Sequence, residues 1–215
     1  MRSQAKAKRS STRQPRDAEA TKAQILDAAE EEFARHGLSG ARTEVIAAKT
    51  GVTKAMIFYY FGSKEALYQA VLQRPCADVV DAFESLHLDE LSPEKAIKKI
   101  IRAGITHEIA HPYRGKVLFQ EANQNQGKYF KLTGGWQPAI NYVRSAIERG
   151  IADGSFRPLD SLITTIHIMG ICSFYLHAYE NLKYVAPDQD LGSAEMLERH
   201  IEEAIKLVLA GIKEE

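Results

Sequence analysis

Residues 42–67 read RTEVIAAKTGVTKAMIFYYFGSKEAL and contain two short helical patterns separated by a glycine. Thr43 has the chemistry of a helix N-cap, and residues 45–48 supply the apolar side of the first helix. Gly51 stands where that helix must end, because glycine adopts the left-handed backbone conformation without steric cost. Thr53 then caps a second helix. Two helices joined by a tight turn of this kind are typical of a helix-turn-helix unit, whose second helix lies in the DNA major groove.

The second helix, residues 54–60, is unusual for a purely structural element because residues 58–61 are all aromatic. Neighbouring residues on a helix point in different directions, so a single core cannot bury all four rings. If Ile57 faces inward, Tyr59 and Tyr60 remain partly outward. Their hydroxyls can then reach phosphates or base edges. We therefore expect this helix to contact DNA.

A third helix starts directly after the second, with Ser63 as its cap and Lys64 in its first turn. A cation at this position opposes the helix dipole and does not favour stability. It is well placed if a phosphate lies at the helix start, where free backbone N–H groups and the Lys64 ammonium can hold it together. We predict a phosphate contact there.

The run T-x-x-I-A-x-x-x-G-V-T-x-x-x-I-F-Y-Y-F-x-S-K-E-x-L, residues 43–67, resembles the DNA-binding signature of TetR-family transcriptional regulators. Residues 21–40 are similar to the first helix of that family, with apolar positions at residues 25, 26, 28, 29 and 33 and a closing His36-Gly37. The similarity covers about the first third of the chain. Phe58 departs from the pattern, since the family usually has Tyr there, and any phosphate contact through that hydroxyl is lost.

The resemblance implies which residues contact DNA. Contacts with the DNA phosphate backbone are expected from Thr43, Thr53, Tyr59, Tyr60 and Lys64. Lys54 and Ala55 are expected to lie nearest the base edges. Arg42, at the start of the motif, is added to this set. The double-stranded operator DNA of such regulators is the expected partner.

The charge is distributed unevenly along the chain. Its 28 basic and 28 acidic side chains cancel overall. Residues 1–16 contain six of the basic residues and no acid, which leaves 22 basic against 28 acidic residues in the remainder. The positive field is therefore concentrated beside the helix-turn-helix. We predict a disordered basic arm over residues 1–16, either as a solubilising tail or as a segment that follows the DNA.

Composition and motifs narrow the class of protein. Cys76 and Cys172 are far apart in helical contexts, so a reduced, cytoplasmic setting without disulfides is expected. The start of the chain has no apolar segment of the kind that forms a secretory signal. The longest uncharged run, residues 161–179, is interrupted by polar residues, so no membrane contact is expected. The sequence has no nucleophile elbow, Walker loop, HExxH helix or dinucleotide fingerprint, which argues against an enzyme.

The periodicity predicts an all-α fold of about nine helices. Residues 17–67 would form a three-helix DNA-binding domain, and residues 68–215 a helical ligand-binding and dimerisation domain. Within the first helix, the acidic run of residues 30–32 is expected to face solvent. Pro75 is expected either to kink or locally break the helix that follows the motif, or merely to mark a boundary. The most apolar helix, residues 159–184, and the last helix, capped by Ser193, carry more apolar surface than a small bundle buries. In the family these last two helices pair into the interface of a homodimer.

Several polar and aromatic residues fall in otherwise apolar helical patterns of the second domain. Each alone is more often a satisfied core or interface group. Together they indicate a mostly apolar pocket for a small organic effector, with a few directional polar contacts. The candidates are His107, Tyr113, Phe119, Gln120, Asn123, Trp136, His167, Cys172 and Tyr175, together with His177.

A metal site is a weaker possibility in the same domain. His107 and His111 are spaced at i, i+4 and point to one side of a helix, but Pro112 ends that helix and no third ligand is apparent. We therefore expect neither a metal nor a cofactor. The prediction is a ligand-responsive transcriptional regulator, most simply a repressor released from its operator by a small molecule. The alternative is a helical protein-interaction module without DNA binding.

Overall fold

The computed structural model describes residues 15–133 and 135–214. Most of the predicted basic arm therefore lies outside the described residues, although its last two residues begin the first helix. In chain order the α-helices are α1 (Pro15–Gly40), α2 (Thr43–Thr50), α3 (Lys54–Phe61), α4 (Lys64–Ser85), α5 (Pro93–Ala110), α6 (Arg114–Asn125), α7 (Gln137–Ala152), α8 (Ser161–His177), α9 (Tyr179–Val185) and α10 (Ala194–Ile212). Short 3-10 helices span Leu88–Glu90 and Phe130–Thr133.

The all-α prediction is confirmed, and over the described residues the chain has ten α-helices and no β-strand. The predicted helix of residues 159–184 is divided into α8 and α9, which are bent by 73° relative to each other. None of the described helices is by itself long and apolar enough to cross a membrane, and only the bent α8–α9 pair reaches that length and apolarity together.

Two hydrophobic cores organise the fold. The first joins α1, α2, α3 and the beginning of α4 around the fully buried side chains of Phe33, Ile57 and Tyr68, and it also takes Val117 and Leu118 from α6. The predicted domain boundary after residue 67 therefore falls inside α4, whose first turns pack with the helix-turn-helix. The second core lies between α5, α7, α8 and α10.

The break in α4 that Pro75 allowed in the sequence is absent from the structure. The helix is continuous from Lys64 to Ser85 with Pro75 buried inside it. Proline removes one backbone hydrogen bond, but the packing of Val71 and Leu72 before it and Phe83 after it holds both halves in one helix. α4 thus runs unbroken from the first core to the second.

The acidic run of α1 was expected to face solvent, and that expectation is wrong for two of its three residues. Glu30 and Glu32 are each only 7% exposed. Glu32 Oε1 accepts a hydrogen bond from the backbone N–H of Arg42 at 2.9 Å, and Glu30 pairs with arginines from α4 and α6. Burial of these carboxylates is offset by those charge-assisted hydrogen bonds.

Candidate nucleic-acid interface and ligand cavity

The helix-turn-helix has the predicted turn. Gly51 adopts φ 69°, and the Thr53 hydroxyl accepts a hydrogen bond from the Met56 N–H at 3.2 Å to cap α3. Thr43, expected as the cap of α2, is instead its first residue. Arg42 occupies the cap position without a side-chain hydrogen bond, and Thr43 is buried. The buried hydroxyl leaves Thr43 a poor candidate for direct contact with a DNA phosphate.

The outward face of α3 is aromatic and exposed. Ile57 is completely buried, whereas Tyr59 is 83% exposed and Ala55 is also exposed. Tyr60 is half-buried, with its ring 5.4 Å from that of Tyr59 in an edge-on arrangement and 6.0 Å from Lys22 Nζ. A tyrosine this exposed contributes little to the core, so its ring and hydroxyl are free to meet another surface.

Lys54 and Lys64 lie at the two ends of this face. Lys54, at the start of α3, pairs with Glu44 of α2 and lies 5.8 Å from the Phe58 ring. The hydrogen bond from Lys54 lowers the pKa of the exposed Glu44 carboxyl. Lys64 donates a 3.3 Å hydrogen bond to the Ser39 carbonyl. Both lysines are at the surface next to α3, and so is the exposed side chain of Arg42.

A cavity of about 330 Å³ lies in the second domain between α4, α5, α6, α7 and α8. Its walls are largely apolar, with Val79, Phe83, Ile100 and Val143 among them. Five of the candidates named from sequence line it, namely His107, Phe119, Trp136, Cys172 and His177. A volume of this size suits a small organic molecule.

The polar part of the cavity lies where α5, α6 and α8 meet. His177 Nε2 and Glu108 Oε2 are 3.3 Å apart, yet their orientation makes no hydrogen bond. His107 Nε2 is also buried without a hydrogen-bond partner within the described chain. A Cβ at Gly115 would overlap the His177 imidazole, so α6 packs directly on this group. Buried polar atoms left unpaired by the protein are available to a ligand.

Both cysteines line the same cavity. Burial raises the pKa of the Cys172 thiol to about 12 and that of Cys76 to about 11. The reactive species of a cysteine is its thiolate, so both thiols are neutral and unreactive near neutral pH. They act as small apolar wall groups.

The remaining ligand-binding candidates lie elsewhere. Tyr113, the residue before α6, and Gln120 of α6 face α1. Tyr113 accepts a 3.2 Å hydrogen bond from Arg35, and Gln120 donates one to the Ala34 carbonyl. Asn123 is exposed. His167 and Tyr175 line a separate, open groove beside α9 and α10, and Tyr175 stacks on His200. Their place outside the cavity follows from the direction of each side chain, which apolar periodicity does not reveal.

A partly buried ion network joins α1, α4 and α6. Arg114, 7% exposed at the start of α6, donates from Nε to Glu30 Oε2 of α1 at 3.2 Å and pairs with Asp78 of α4. Arg74 of α4 donates to the same Glu30 oxygen at 3.1 Å and to Asp27. Sequence reasoning did not single out Arg114, and it placed Glu30 on a solvent-facing surface.

Asp78 also meets the two histidines considered for a metal site. Potential ligand atoms of Asp78, His107 and His111 all lie within 4.8 Å of one another. The structure therefore supplies a third candidate ligand, from α4, which the spacing of the sequence did not indicate.

Comparison with known proteins agrees with this architecture. Residues 25–71 match the family model described as bacterial regulatory proteins of the tetR family, and residues 93–208 match a tetracyclin repressor-like C-terminal domain. The HTH-type transcriptional repressor NicS of Pseudomonas putida is 34% identical over 164 residues, covering 74% of this chain and 76% of the relative. The HTH-type transcriptional regulator RutR of Escherichia coli K12 is 33% identical over 142 residues, 66% of each chain.

Two solved structures share the fold. A putative transcriptional regulator SCO4942 from Streptomyces coelicolor superposes with a TM-score of 0.71 at 23% identity, covering 89% of this chain and 98% of the other. The regulator FadR from Bacillus subtilis in complex with stearoyl-CoA gives a TM-score of 0.71 at 20% identity, covering 88% and 98%.

The chain belongs to the TetR family of bacterial regulatory proteins. It is a DNA-binding transcriptional regulator of the repressor type, and the alternative of an interaction module without DNA binding is set aside.

Proposed function

We propose that the protein acts as a homodimer that places α3 of each protomer in successive major grooves of an operator, and that a small molecule in the cavity releases it. The observation that carries this proposal is the position of α6. One side of this helix forms the cavity wall through Leu118 and Phe119, and the other contacts α1 of the DNA-binding domain through Gln120. A change at the cavity therefore has a direct mechanical route to the DNA-binding helices.

Contact with DNA would follow the exposed aromatic face of α3. Tyr59, with Lys64 at the start of α4, suits phosphates on either side of a groove, while Ala55 and Lys54 lie at the N-terminal end of α3, the part of a recognition helix that meets base edges. Lys54 would exchange its exposed pair with Glu44 for DNA. Such exposed pairs contribute little, so the exchange costs little free energy.

A dimer is supported by apolar side chains that one protomer leaves exposed. Leu162, Ile166 and Phe174 of α8, Val185 of α9 and Leu207 of α10 are all at least 43% exposed. Exposed apolar surface concentrated on neighbouring helices marks an interaction site. One short recognition helix reads few base pairs, and two copies supply the second half-site. The interface would combine α8 and α10, with α9 at its edge.

The cavity favours an effector with an apolar body and one or two hydrogen-bonding groups. The apolar walls would enclose the body, and Glu108 and His177 would accept or donate at the polar end, where their own contacts are incomplete. An effector bound between Glu108 and His177 would act on α6 through Gly115, which packs against His177. The effector can shift the equilibrium between the DNA-bound and the DNA-released conformation only by the difference between its affinities for the two conformations.

We further infer that the protein is not an enzyme and that it acts in the cytoplasm, where operator DNA lies, because its relatives are transcriptional regulators.

DNA binding is tested by selecting genomic fragments with the purified full chain and titrating the strongest fragment at several salt concentrations. We expect log affinity to fall steeply and linearly with log salt. Lys64→Ala would weaken binding to all sequences and reduce the salt slope by about one, whereas Lys54→Ala would change the preferred sequence. Binding without salt dependence, or unaltered by either variant, contradicts the proposed DNA interface.

Coupling is tested by screening small apolar molecules for thermal stabilisation and then measuring operator affinity with each hit. His177→Phe keeps the volume of the ring but removes its polar atoms, so it should weaken a genuine cavity ligand. A tight ligand that is sensitive to His177→Phe, yet leaves operator affinity and kinetics unchanged, refutes ligand-controlled release.

A further inference from the structure

The group Asp78, His107 and His111 lies at the junction of α4 and α5 beside the cavity. His111 is at the end of α5, one turn after His107, and their rings are 4.7 Å apart. Asp78 reaches the same point from the middle of α4. All three residues are partly buried, so the group is neither a solvated surface cluster nor sealed from an entering ion.

The donor set is characteristic of borderline transition metals. Two imidazole nitrogens and one carboxylate oxygen suit Zn²⁺, Co²⁺ or Ni²⁺, whereas Mg²⁺ and Ca²⁺ prefer oxygen ligands alone. Ligands of a tetrahedral zinc ion lie about 3.3 Å apart, given metal–ligand distances of roughly 2.0 to 2.1 Å. The observed separations, up to 4.8 Å, are wider than this, so a bound ion would draw the three side chains together by rotation.

The surroundings favour an ion here over a merely structural cluster. His107 Nε2 is buried and has no hydrogen-bond partner in the described chain, so the protein leaves this donor atom unused. Asp78 is already held by Arg114, and a carboxylate has two oxygens, so one can keep the arginine while the other binds a metal. Partners of this kind fix the orientation of a metal-binding carboxylate.

We propose that Asp78, His107 and His111 bind one divalent transition-metal ion such as Zn²⁺. The fourth coordination position of the ion would be open to water or to the cavity. Such an ion ties α4, which continues from the DNA-binding core, to α5 of the sensing domain. It is a site distinct from operator binding and independent of the identity of the effector.

The test uses the untagged full chain after removal of metals with a chelator, titrated with Co²⁺ as a spectroscopic substitute for Zn²⁺. We expect visible d–d absorption that saturates at one ion per protomer and is displaced by Zn²⁺. Asp78→Asn and His107→Ala should each weaken binding by more than about tenfold. The matched controls Asp81→Asn, on an exposed position of α4, and His87→Asn, an exposed histidine, should bind as the parent does.

A second measurement keeps the outcome interpretable if either variant folds poorly. Zn²⁺ should raise the melting temperature of the parent and of both controls, but not that of His111→Ala, whose partly exposed side chain is removed at the end of α5. Failure of the parent to bind Co²⁺ at about 100 µM overturns the proposal. Binding that survives in Asp78→Asn, His107→Ala and His111→Ala overturns it equally, because the ion must then lie elsewhere.

Discussion

Gln120 of α6 donates a 2.9 Å hydrogen bond from Nε2 to the main-chain carbonyl of Ala34 in α1. The contact joins the helix that lines the ligand cavity to the helix that supports the helix-turn-helix. It lies beside Gly37, where α1 is interrupted by a left-handed residue at φ 66° and where a Cβ would overlap Gln124 of the same α6. α6 therefore rests on the end of α1 at close range.

Replacing Gln120 by Ala removes this hydrogen bond and leaves the Ala34 carbonyl to find another donor. We expect the free energy of unfolding to fall by about 1 kcal/mol. Urea denaturation measures the change. Asn123→Ala is the matched control, since Asn123 is exposed on the same helix and its loss should be neutral within about 0.5 kcal/mol. Equal effects of the two substitutions would argue against a stabilising role for the Gln120 contact.

Arg114 is the buried cation between Glu30 and Asp78. Replacing it by Met leaves Glu30 with Arg74 alone, and we expect a loss of about 3 kcal/mol in unfolding free energy because a buried carboxylate becomes incompletely paired. The double variant Glu30→Gln with Arg114→Met should lose less than the sum of the single losses, by about 1 to 3 kcal/mol.

The control for this cycle is Arg144→Met, which breaks an exposed pair with Glu148 within α7 and should cost less than about 1 kcal/mol. Additive losses in the Glu30 and Arg114 cycle would mean that the two side chains do not interact energetically.

The proposed dimer face gives a prediction about oligomeric state. Phe174→Glu puts a charge on the exposed apolar surface of α8, where Phe174 is 66% exposed. We expect a folded monomer in sedimentation analysis and at least about tenfold weaker operator binding, because the second half-site contact is lost. Leu132→Glu alters an equally exposed leucine away from this face and should leave a dimer. A dimer that persists in Phe174→Glu would place the interface elsewhere.

The pH dependence of stability follows from His200, which stacks on Tyr175 with ring centroids 4.4 Å apart. Burial lowers the pKa of His200 below its ordinary value of about 6.5. The unfolded chain therefore takes up this proton more readily than the folded one, so stability falls as the pH drops below about 6.5. Burial lowers the pKa of His107 as well, in the same direction.

His200→Phe keeps the ring stack but removes the titrating group, so the loss of stability between pH 7 and pH 5 should become smaller. Thermal unfolding at fixed protein concentration measures it, because dimerisation makes the melting temperature depend on concentration. The exposed His87 provides the comparison, and His87→Asn should keep the pH dependence of the parent. An unchanged profile in His200→Phe would assign the acid sensitivity to other groups.

The sequence predicted best those features that depend on local chemistry. The glycine turn at Gly51, the caps at Thr53, Ser63 and Ser193 and the burial of Ile57 all follow from residue type and spacing, and the structure has each of them. The helical fold follows from apolar periodicity in the same way.

The sequence failed where a partner from a distant helix decides the outcome. Glu30 has the composition of a solvated face and is buried only because Arg74 and Arg114 approach it from α4 and α6. Gln120 is a polar residue in an apolar pattern, and that pattern would be the same if its side chain pointed into the cavity or toward α1. Asp78 is 29 residues from His107 along the chain, so no spacing rule connects them. Each depends on the approach of a distant helix in the folded chain, which residue type and spacing do not reveal.

The sharing of one hydrophobic core by α6 and the DNA-binding helices bears on the construction of hybrid regulators. Val117 and Leu118 are buried against that core. A fusion that joins the first 67 residues of another regulator to the sensing domain of this one would separate the first turns of α4 from the helix-turn-helix that they pack against, and would leave those two side chains facing foreign neighbours. A biosensor with exchanged operator specificity should therefore take its junction after Leu72 and carry matched substitutions at positions 117, 118 and 120.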